Sequence, residues 1–284
     1  MKAAIQGVHG AYSDLACKQL LGEKCSTIPY ESFEAVFDAV VNDEVDIALV
    51  PIENSLAGSI HQNYDLLLSR DVNIVAETRL KVEHVLMCHP STSLKNISEV
   101  RSHPQALAQC SKFFSEEKKI KAVVYFDTAG AAKSLVQESP KNIGAIASSY
   151  AAELYQLKIL RKHLQNQPNN FTRFLAIEKK SLENKKKSLG NKKTPLRNKK
   201  TSIAFMPNKN EVGILFRMLG AFAFRDIDLL KIESRPNPSS PFEYWFYVDF
   251  AGSIGDAKVD RALDQLREVA VELKILGSYP KFKS

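Results

Sequence analysis

Over the first 178 residues, short apolar runs rich in β-branched side chains alternate with stretches of helical period. Strands are expected at Lys2 to Gly7, Asp46 to Ile52, Val72 to Val75, Val82 to Cys88, Lys121 to Phe126, Ile143 to Ala147 and Phe171 to Ile177. Helices fit between them. Ser13 suits the cap of a helix to Leu21, and Ser32, with Glu34 in the first turn, that of a helix through Val41. Pro104 fits the first turn of a helix through Phe114, Asp127 or Thr128 opens one through Val136, and Ser148 or Ser149 opens one through Leu157. Strands alternating with helices specify βα units around a mostly parallel sheet.

The pattern changes after residue 200. A strand is expected from Thr201 to Met206, a helix from Val212 to Phe224, and strands from Ile227 to Ile232 and Glu243 to Phe250. A helix from Asp256 to about Glu272 and a strand from Ile275 to Tyr279 complete a βαββαβ series, the split ferredoxin-like arrangement. Leu215, Leu219 and Phe222 share one helical face, while Tyr244, Phe246, Val248 and Phe250 alternate with Trp245, Tyr247 and Asp249.

Charge separates the two halves. The chain of 284 residues carries 39 Lys and Arg against 32 Asp and Glu, a formal +7. Residues 179–200 alone hold ten of those cations against Glu183, so the remainder is slightly acidic at −2. Without aromatic residues or a helical or strand period, 179–200 has the composition of a solvated connector. The expected organisation is a first domain at 1–178, a basic linker at 179–200 and a second domain at 201–280. Nucleic-acid binding through the linker is disfavoured, because no aromatic residue is interleaved for base stacking. No run of 18 apolar residues exists and the N-terminus lacks a signal pattern, so a cytoplasmic protein without a membrane partner is expected. Cys17, Cys25, Cys88 and Cys110 have no metal-binding spacing and read as small buried hydrophobes in a reducing compartment.

Polar clusters recur where strands end and helices begin, the place where open α/β sheets bind ligands and helix N-termini attract anions. Five junctions stand out: Gly7 to Ser13, Pro51 to Ser55, Ser102 to Gln105, Asp127 to Ala129 and Asn170 to Arg173. Taken singly, each has a plain structural alternative. Ser13 and Thr128 suit helix caps, Gly7 and Gly10 suit a tight turn, and Glu53 suits an ordinary surface acid. The glycines do not complete a dinucleotide fingerprint. Arg173, inside an apolar stretch, requires a partner or a ligand carboxylate. Together the five describe a hydroxyl-rich, anion-friendly cleft.

These blocks resemble those of the prephenate dehydratase family, which arogenate dehydratases share: Gly10-Ala11-Tyr12-Ser13, Val50 to Ser55 with Gly58-Ser59, Ser102 to Ala106, Asp127 to Gly130 and Asn170 to Phe174. Ile227 to Pro236 resembles the phenylalanine-binding segment of that family's C-terminal ACT domain. The resemblance runs in order along the chain. It implies an α/β fold with a two-lobed, periplasmic-binding-protein-like (type 2) catalytic domain followed by a ferredoxin-like ACT domain. It also implies conversion of prephenate to phenylpyruvate, water and carbon dioxide in phenylalanine biosynthesis, without metal or redox cofactor. As the pattern starts at a strand, no chorismate mutase domain is expected before it.

The reaction needs two carboxylates held in register and help for a departing hydroxyl, with aromatisation as the driving force. The resemblance places Thr172 to assist that departure as a positioned donor, with Arg173 fixing the segment or a carboxylate. Ser13, Asn54, Ser55, Ser102, Gln105 and Thr128 are candidates for the substrate carboxylates. His103 is either a proton source or a capping residue beside Pro104. In the second domain, Asn210, Gly213, Leu215, Glu233, Ser234 and Arg235 supply what a free amino acid requires: an acceptor for its ammonium, donors for its carboxylate and an apolar slot. In the family this pocket binds phenylalanine as feedback inhibitor at a dimer interface, so a homodimer or homotetramer is implied. The family's Gly-Ala-Leu-Val block here reads Gly213-Ile214-Leu215-Phe216. Arogenate dehydratase is the nearest alternative, and a non-catalytic amino-acid sensor a further one.

Overall fold

The computed structural model describes residues 1–180, 199–208, 212–237 and 239–282. The linker core and Asn210 therefore lie outside the described residues.

The first 180 residues fold as β1 (Lys2–Gln6), α1 (Tyr12–Leu21), β2 (Ser26–Tyr30), α2 (Phe33–Val41), β3 (Ile47–Asn54), β4 (Gly58–Ser59), α3 (His61–Ser69), β5 (Val72–Lys81), β6 (Val85–Cys88), β7 (Glu99–Ser102), α4 (Pro104–Gln109), α5 (Ser111–Glu116), β8 (Lys121–Val124), α6 (Thr128–Glu138), β9 (Ile143–Ala147), α7 (Ser149–Leu154), β10 (Lys158–Arg161) and β11 (Phe171–Lys179). One sheet has the order β2-β1-β3-β11-β5, with β4 hairpinned onto β3. Ala3, Ala4 and Ile5 of β1 and Ile47 to Val50 of β3 are wholly buried, as central strands covered on both faces must be. A second sheet has the order β10-β6-β9-β7-β8, in which β7 runs parallel to β8 and β9 and β6 antiparallel to β9 and β10. Apolar clusters cover both of its faces, one around Met87, Leu135 and Ala145 and the other around Leu86, Val100 and Phe113.

Caps fix the junctions. Ser32 Oγ accepts from Ala35 N, Asp127 from Gly130 N and Ser148 Oγ from Ala151 N. Helix α1 departs from expectation. Its cap is Ala11, which leaves Ser13 in the first turn with its hydroxyl uncommitted. Gly10 enters this turn at φ +89, and a Cβ there would press on Ala151 and Tyr155 at 3.3 to 3.4 Å. All four cysteines are free and buried.

The remainder is β12 (Lys199–Pro207), α8 (Ile214–Ala223), β13 (Leu229–Pro236), β14 (Tyr244–Ala251), α9 (Ala257–Val269) and β15 (Ala270–Pro280), the expected βαββαβ. The sheet is antiparallel in the order β13-β14-β12-β15. One face packs α8 and α9 through Phe205, Met218, Phe222, Phe250, Leu263 and Leu266. This C-terminal sheet-and-helix unit is consistent with an ACT domain.

Two compact units emerge: residues 1–36, 49–59 and 78–174 form one, and 37–48, 60–77 and 175–284 the other. Within the second, the βαββαβ sheet is joined to α3 and the first half of β5. Lys200 Nζ sits 2.8 Å from Glu77 Oε2, with both side chains almost wholly buried. Tyr247 donates to Tyr64 O at 3.1 Å. At Gly277 a Cβ would lie 2.2 Å from Ile74 O, so only glycine permits that approach. Lys199 thus marks where a new sheet begins, not where a compact unit begins.

Candidate active site

Within the first unit the strand-end clusters meet in pairs, the end of β3 with the start of β11 and the β1–α1 turn with the start of α6. At the end of β3, Asn54 and Ser55 face the start of β11. Ser55 N donates to Phe171 O at 2.8 Å, Phe171 N to Ser55 Oγ at 2.9 Å, and Ser55 Oγ to Asn169 O at 3.2 Å. Asn54 Nδ2 donates to Asn170 Oδ1 at 2.7 Å and to Thr172 Oγ1 at 3.0 Å. Thr172 is buried and donates its own proton to no described residue. A hydroxyl that accepts from an amide and has no acceptor of its own keeps its O–H available for a ligand.

Beside this junction lies a pocket of about 340 Å³, bounded by Leu56, Ala57, Gln105, Ala108, Gln109 and the segment Gln165 to Gln167. Gln105 is exposed there with its side-chain amide uncommitted. The β1–α1 turn is held by Tyr155, which donates to His9 O at 2.6 Å, and by Ser148, which donates to Gly10 O at 3.3 Å. Under it the buried Asp14 carboxylate accepts from Gly10 N at 2.8 Å, Thr27 Oγ1 at 2.8 Å and Tyr150 Oη at 3.2 Å. Burial, then the nearby Asp127 and Asp14 carboxylates, push the Tyr155 phenol up to about 12, so it stays protonated and donating. A Cβ on Gly7 would lie 3.7 Å from Asp127 Oδ2, which sets this turn beside the start of α6. Thr128 there is half-buried with no partner for its hydroxyl among the described residues, because Asp127 takes the cap.

Other residues picked from the sequence are differently placed. Ser102 is fully buried and donates to Ile146 O at 2.6 Å, serving the β7–β9 pairing. His103 is exposed and caps its own helix, its Nδ1 accepting from Gln105 N at 3.2 Å. Arg173 is buried and, as the next residue of β11, does not share Thr172's face.

Sequence reasoning passed over Tyr12, His84, Gln109 and Asn170 as site residues. His84 is 2% exposed within the segment that reads as an apolar strand, and its ring lies 2.9 Å from Tyr12 Oη and 3.0 Å from Gln109 Oε1. A polar residue inside an apolar run was the available signal, the same one that drew attention to Arg173.

In the C-terminal sheet, register separates the residues expected to hold an amino acid. Glu233 pairs with Tyr247 and Arg235 with Trp245, on the face away from α8, whereas Ser234 pairs with Phe246 on the helix face. Arg235 makes a two-point pair with Asp65 at 3.2 and 2.8 Å, and Glu233 lies 3.2 Å from His61. That face carries a pocket of about 520 Å³ lined by Asp65, Met206, Arg235, Trp245, Tyr247 and Glu272 among others. Gly213, at φ +79, begins α8 on the opposite face, followed by half-buried Leu215 and the 73% exposed Phe216.

The family model for prephenate dehydratase matches residues 3–182. The chain belongs to the prephenate dehydratase family. Arogenate dehydratase/prephenate dehydratase 2, chloroplastic, of Arabidopsis thaliana is 41% identical over 289 residues, covering 99% of this chain and 73% of the relative. Among solved structures, one described as GqqA, a novel type of quorum quenching acylases, is 33% identical with a TM-score of 0.88, covering 99% of this chain and 98% of that one. The prephenate dehydratase of Arthrobacter aurescens in complex with L-Phe is 26% identical with a TM-score of 0.87, covering 99% and 90%. As a member of the prephenate dehydratase family the chain is a lyase of phenylalanine biosynthesis. Among the described residues, no helix is long and apolar enough to cross a membrane.

Proposed function

We propose that this chain converts prephenate to phenylpyruvate with loss of water and carbon dioxide, and that Thr172 donates the hydrogen bond that assists the leaving hydroxyl. The observation that carries this is the pairing of Thr172 Oγ1 with Asn54 Nδ2, which leaves the threonine proton for the substrate. A threonine is too weak an acid to act fully alone, so its contribution is a fixed donor that strengthens as negative charge develops on the departing oxygen. The uncommitted groups of Ser13, Gln105 and Thr128 are the donors for the two carboxylates. Asn54 and Ser55 hold the β3–β11 junction, Arg173 is assigned to fixing the β11 segment, and Ser102 and His103 support the second sheet and α4.

Thr172→Ala is expected to lower kcat by about a hundredfold or more with a modest change in KM. Near-normal turnover would remove Thr172 from the mechanism. Arogenate, with an amino group in place of the keto oxygen, is the second substrate to assay, because the 41% identical relative carries both activities in its name. The acylase description of GqqA is a weaker guide here. Thr27 Oγ1 lies 3.2 Å from His9 Nδ1 but gives its proton to Asp14 Oδ1, which is not the arrangement of a nucleophile and its base.

The proposed organisation is a catalytic domain at 1–178, a basic linker at 179–200 and an ACT regulatory domain at 201–280. The enzyme is proposed to act in the cytoplasm as a homodimer or homotetramer, inhibited by L-phenylalanine. The exposed Val212, Phe216 and Phe224 on and beside α8 favour assembly.

A further inference from the structure

Hydrogen-bond directions around Thr172 can be worked out from one anchor. Asn54 Oδ1 accepts from the backbone N–H groups of Leu56 at 3.1 Å and Ala57 at 2.9 Å. Backbone amides only donate, so the orientation of the Asn54 amide is settled, and its Nδ2 must be the atom facing Asn170 and Thr172. Asn170 therefore turns its oxygen to Asn54 and its Nδ2 to Gln109 Oε1, 3.1 Å away. That makes the Gln109 oxygen the atom 3.0 Å from His84 Nε2, and an oxygen acceptor there requires a hydrogen on Nε2. Tyr12 Oη stands at the other ring nitrogen, 2.9 Å from Nδ1 and 2.7 Å from Glu83 O. Burial pushes the His84 pKa below its ordinary 6.5, and the hydrogen bond to Gln109 only partly opposes this, so the ring is neutral. Nδ1 then bears a lone pair, and the single Tyr12 proton, which the 2.7 Å bond directs to Glu83 O, lies between that carbonyl and Nδ1.

We propose that His84 is a positioning residue: as the Nε2–H tautomer it holds Gln109 and Asn170 in the one orientation that keeps Asn54 donating to Thr172 Oγ1, and so keeps the Thr172 proton turned toward the substrate. This rests on the reading of Thr172 as the donor. The energetic logic is one of clashes. If Gln109 turned its NH₂ toward Asn170, two donors would face each other at about 3 Å unless Asn170 turned as well. Asn170 would then set its own NH₂ against that of Asn54, which its two backbone partners hold in place. In a buried network, such an unpaired group costs more than the bond itself returns. Amides do not pass protons along readily, so the chain fixes direction and is not a proton relay.

Two measurements on the full chain test this. In ¹⁵N-histidine NMR near pH 7, one of the six histidines, identified as His84 by its absence from His84→Gln, is expected as a neutral ring protonated at Nε2. A hydrogen on Nδ1 alone, or a charged ring, overturns the proposal without any functional variant. In kinetics, His84→Leu removes both partners, whereas His84→Gln keeps a donor for Gln109 and an acceptor for Tyr12. His84→Leu is expected to lower kcat at least about tenfold with KM within about twofold, and His84→Gln to retain most of kcat. Equal loss in the two variants, or no loss in either, would show that the residue only fills space. Normal turnover in Thr172→Ala would defeat the reading of Thr172 while leaving the tautomer result standing, so the two failures are distinguishable.

Discussion

At the residue scale His84 also carries a pH signature. Its folded pKa lies below the ordinary 6.5 because burial penalises the charged ring. The unfolded chain therefore binds more protons as pH falls through 6.5, so the stability contributed by the neutral ring is complete above that pH and is lost toward the folded pKa. The melting temperature is expected to fall on acidification from pH 7 to 5, and His84→Gln to show a shallower fall across that window. Identical slopes in the two proteins would assign the acid sensitivity elsewhere. Thr172, Asn54, Ser55 and Gln105 were singled out at strand-helix junctions, and the structure sets Asn54 and Ser55 against the start of β11 with Thr172, and Gln105 beside Leu56 and Ala57. Ser102 and His103 read the same way, but Ser102 is committed to Ile146 O in the interior and the exposed His103 caps its own helix. Which way a junction side chain faces depends on the register of strands far apart in sequence, and β7 meets β9 across 44 residues at that hydrogen bond.

At the scale of elements, pattern found nearly every segment that is apolar and missed those that are not. Strand β5 was expected to end at Val75 but continues to Lys81, because Glu77 and Thr78 are buried by partners that the local sequence does not contain. Strand β2 holds Pro29 and takes the edge of its sheet, the position where a missing N–H does least harm. Helix α3 begins with His61-Gln62-Asn63 and has only a weak apolar face of its own. Glu77 explains the length of β5. Its Oε2 pairs with Lys200 at 2.8 Å and its Oε1 accepts from Phe282 N at 3.0 Å, while Lys200 Nζ also lies 4.0 Å from Asp249. Removing one partner of a dry ion pair strands the other charge, so Glu77→Ala is expected to cost about 3–5 kcal/mol in urea denaturation. Glu77→Leu combined with Lys200→Met is expected to recover part of that loss, since the pair itself then strands no charge while Asp249 loses the nearby ammonium and Phe282 N its acceptor. If the double variant is as unstable as the single one, the pair is held by geometry that hydrocarbon cannot replace.

At the scale of the whole molecule, the surplus of positive charge marked the joint between two kinds of sheet. Its flanking cations are in use, Lys179 on Asp43 and Lys200 on Glu77. The βαββαβ order was readable because each of its elements is strongly periodic, but the side of the sheet that each polar residue takes was not, since it follows from pairing partners. That side matters for regulation. Gly213 and Leu215 open α8 on the helix face, whereas Arg235 lies on the other face in its pair with Asp65. If L-phenylalanine binds at the start of α8, where free backbone amides can take its carboxylate, Leu215→Ala should weaken binding measured by calorimetry on the full chain. Arg235→Met should then lower thermal stability, by loss of the Asp65 pair, yet leave Kd within about twofold. The opposite outcome would move the amino acid to the pocket between Arg235, Trp245 and Glu272, where a guanidinium, a carboxylate and an aromatic wall also converge. No heat with either protein, and turnover unchanged at millimolar phenylalanine, would remove feedback inhibition from the account. Phe216, a large exposed ring in place of the family's valine, is the feature of this chain best placed to cause that result.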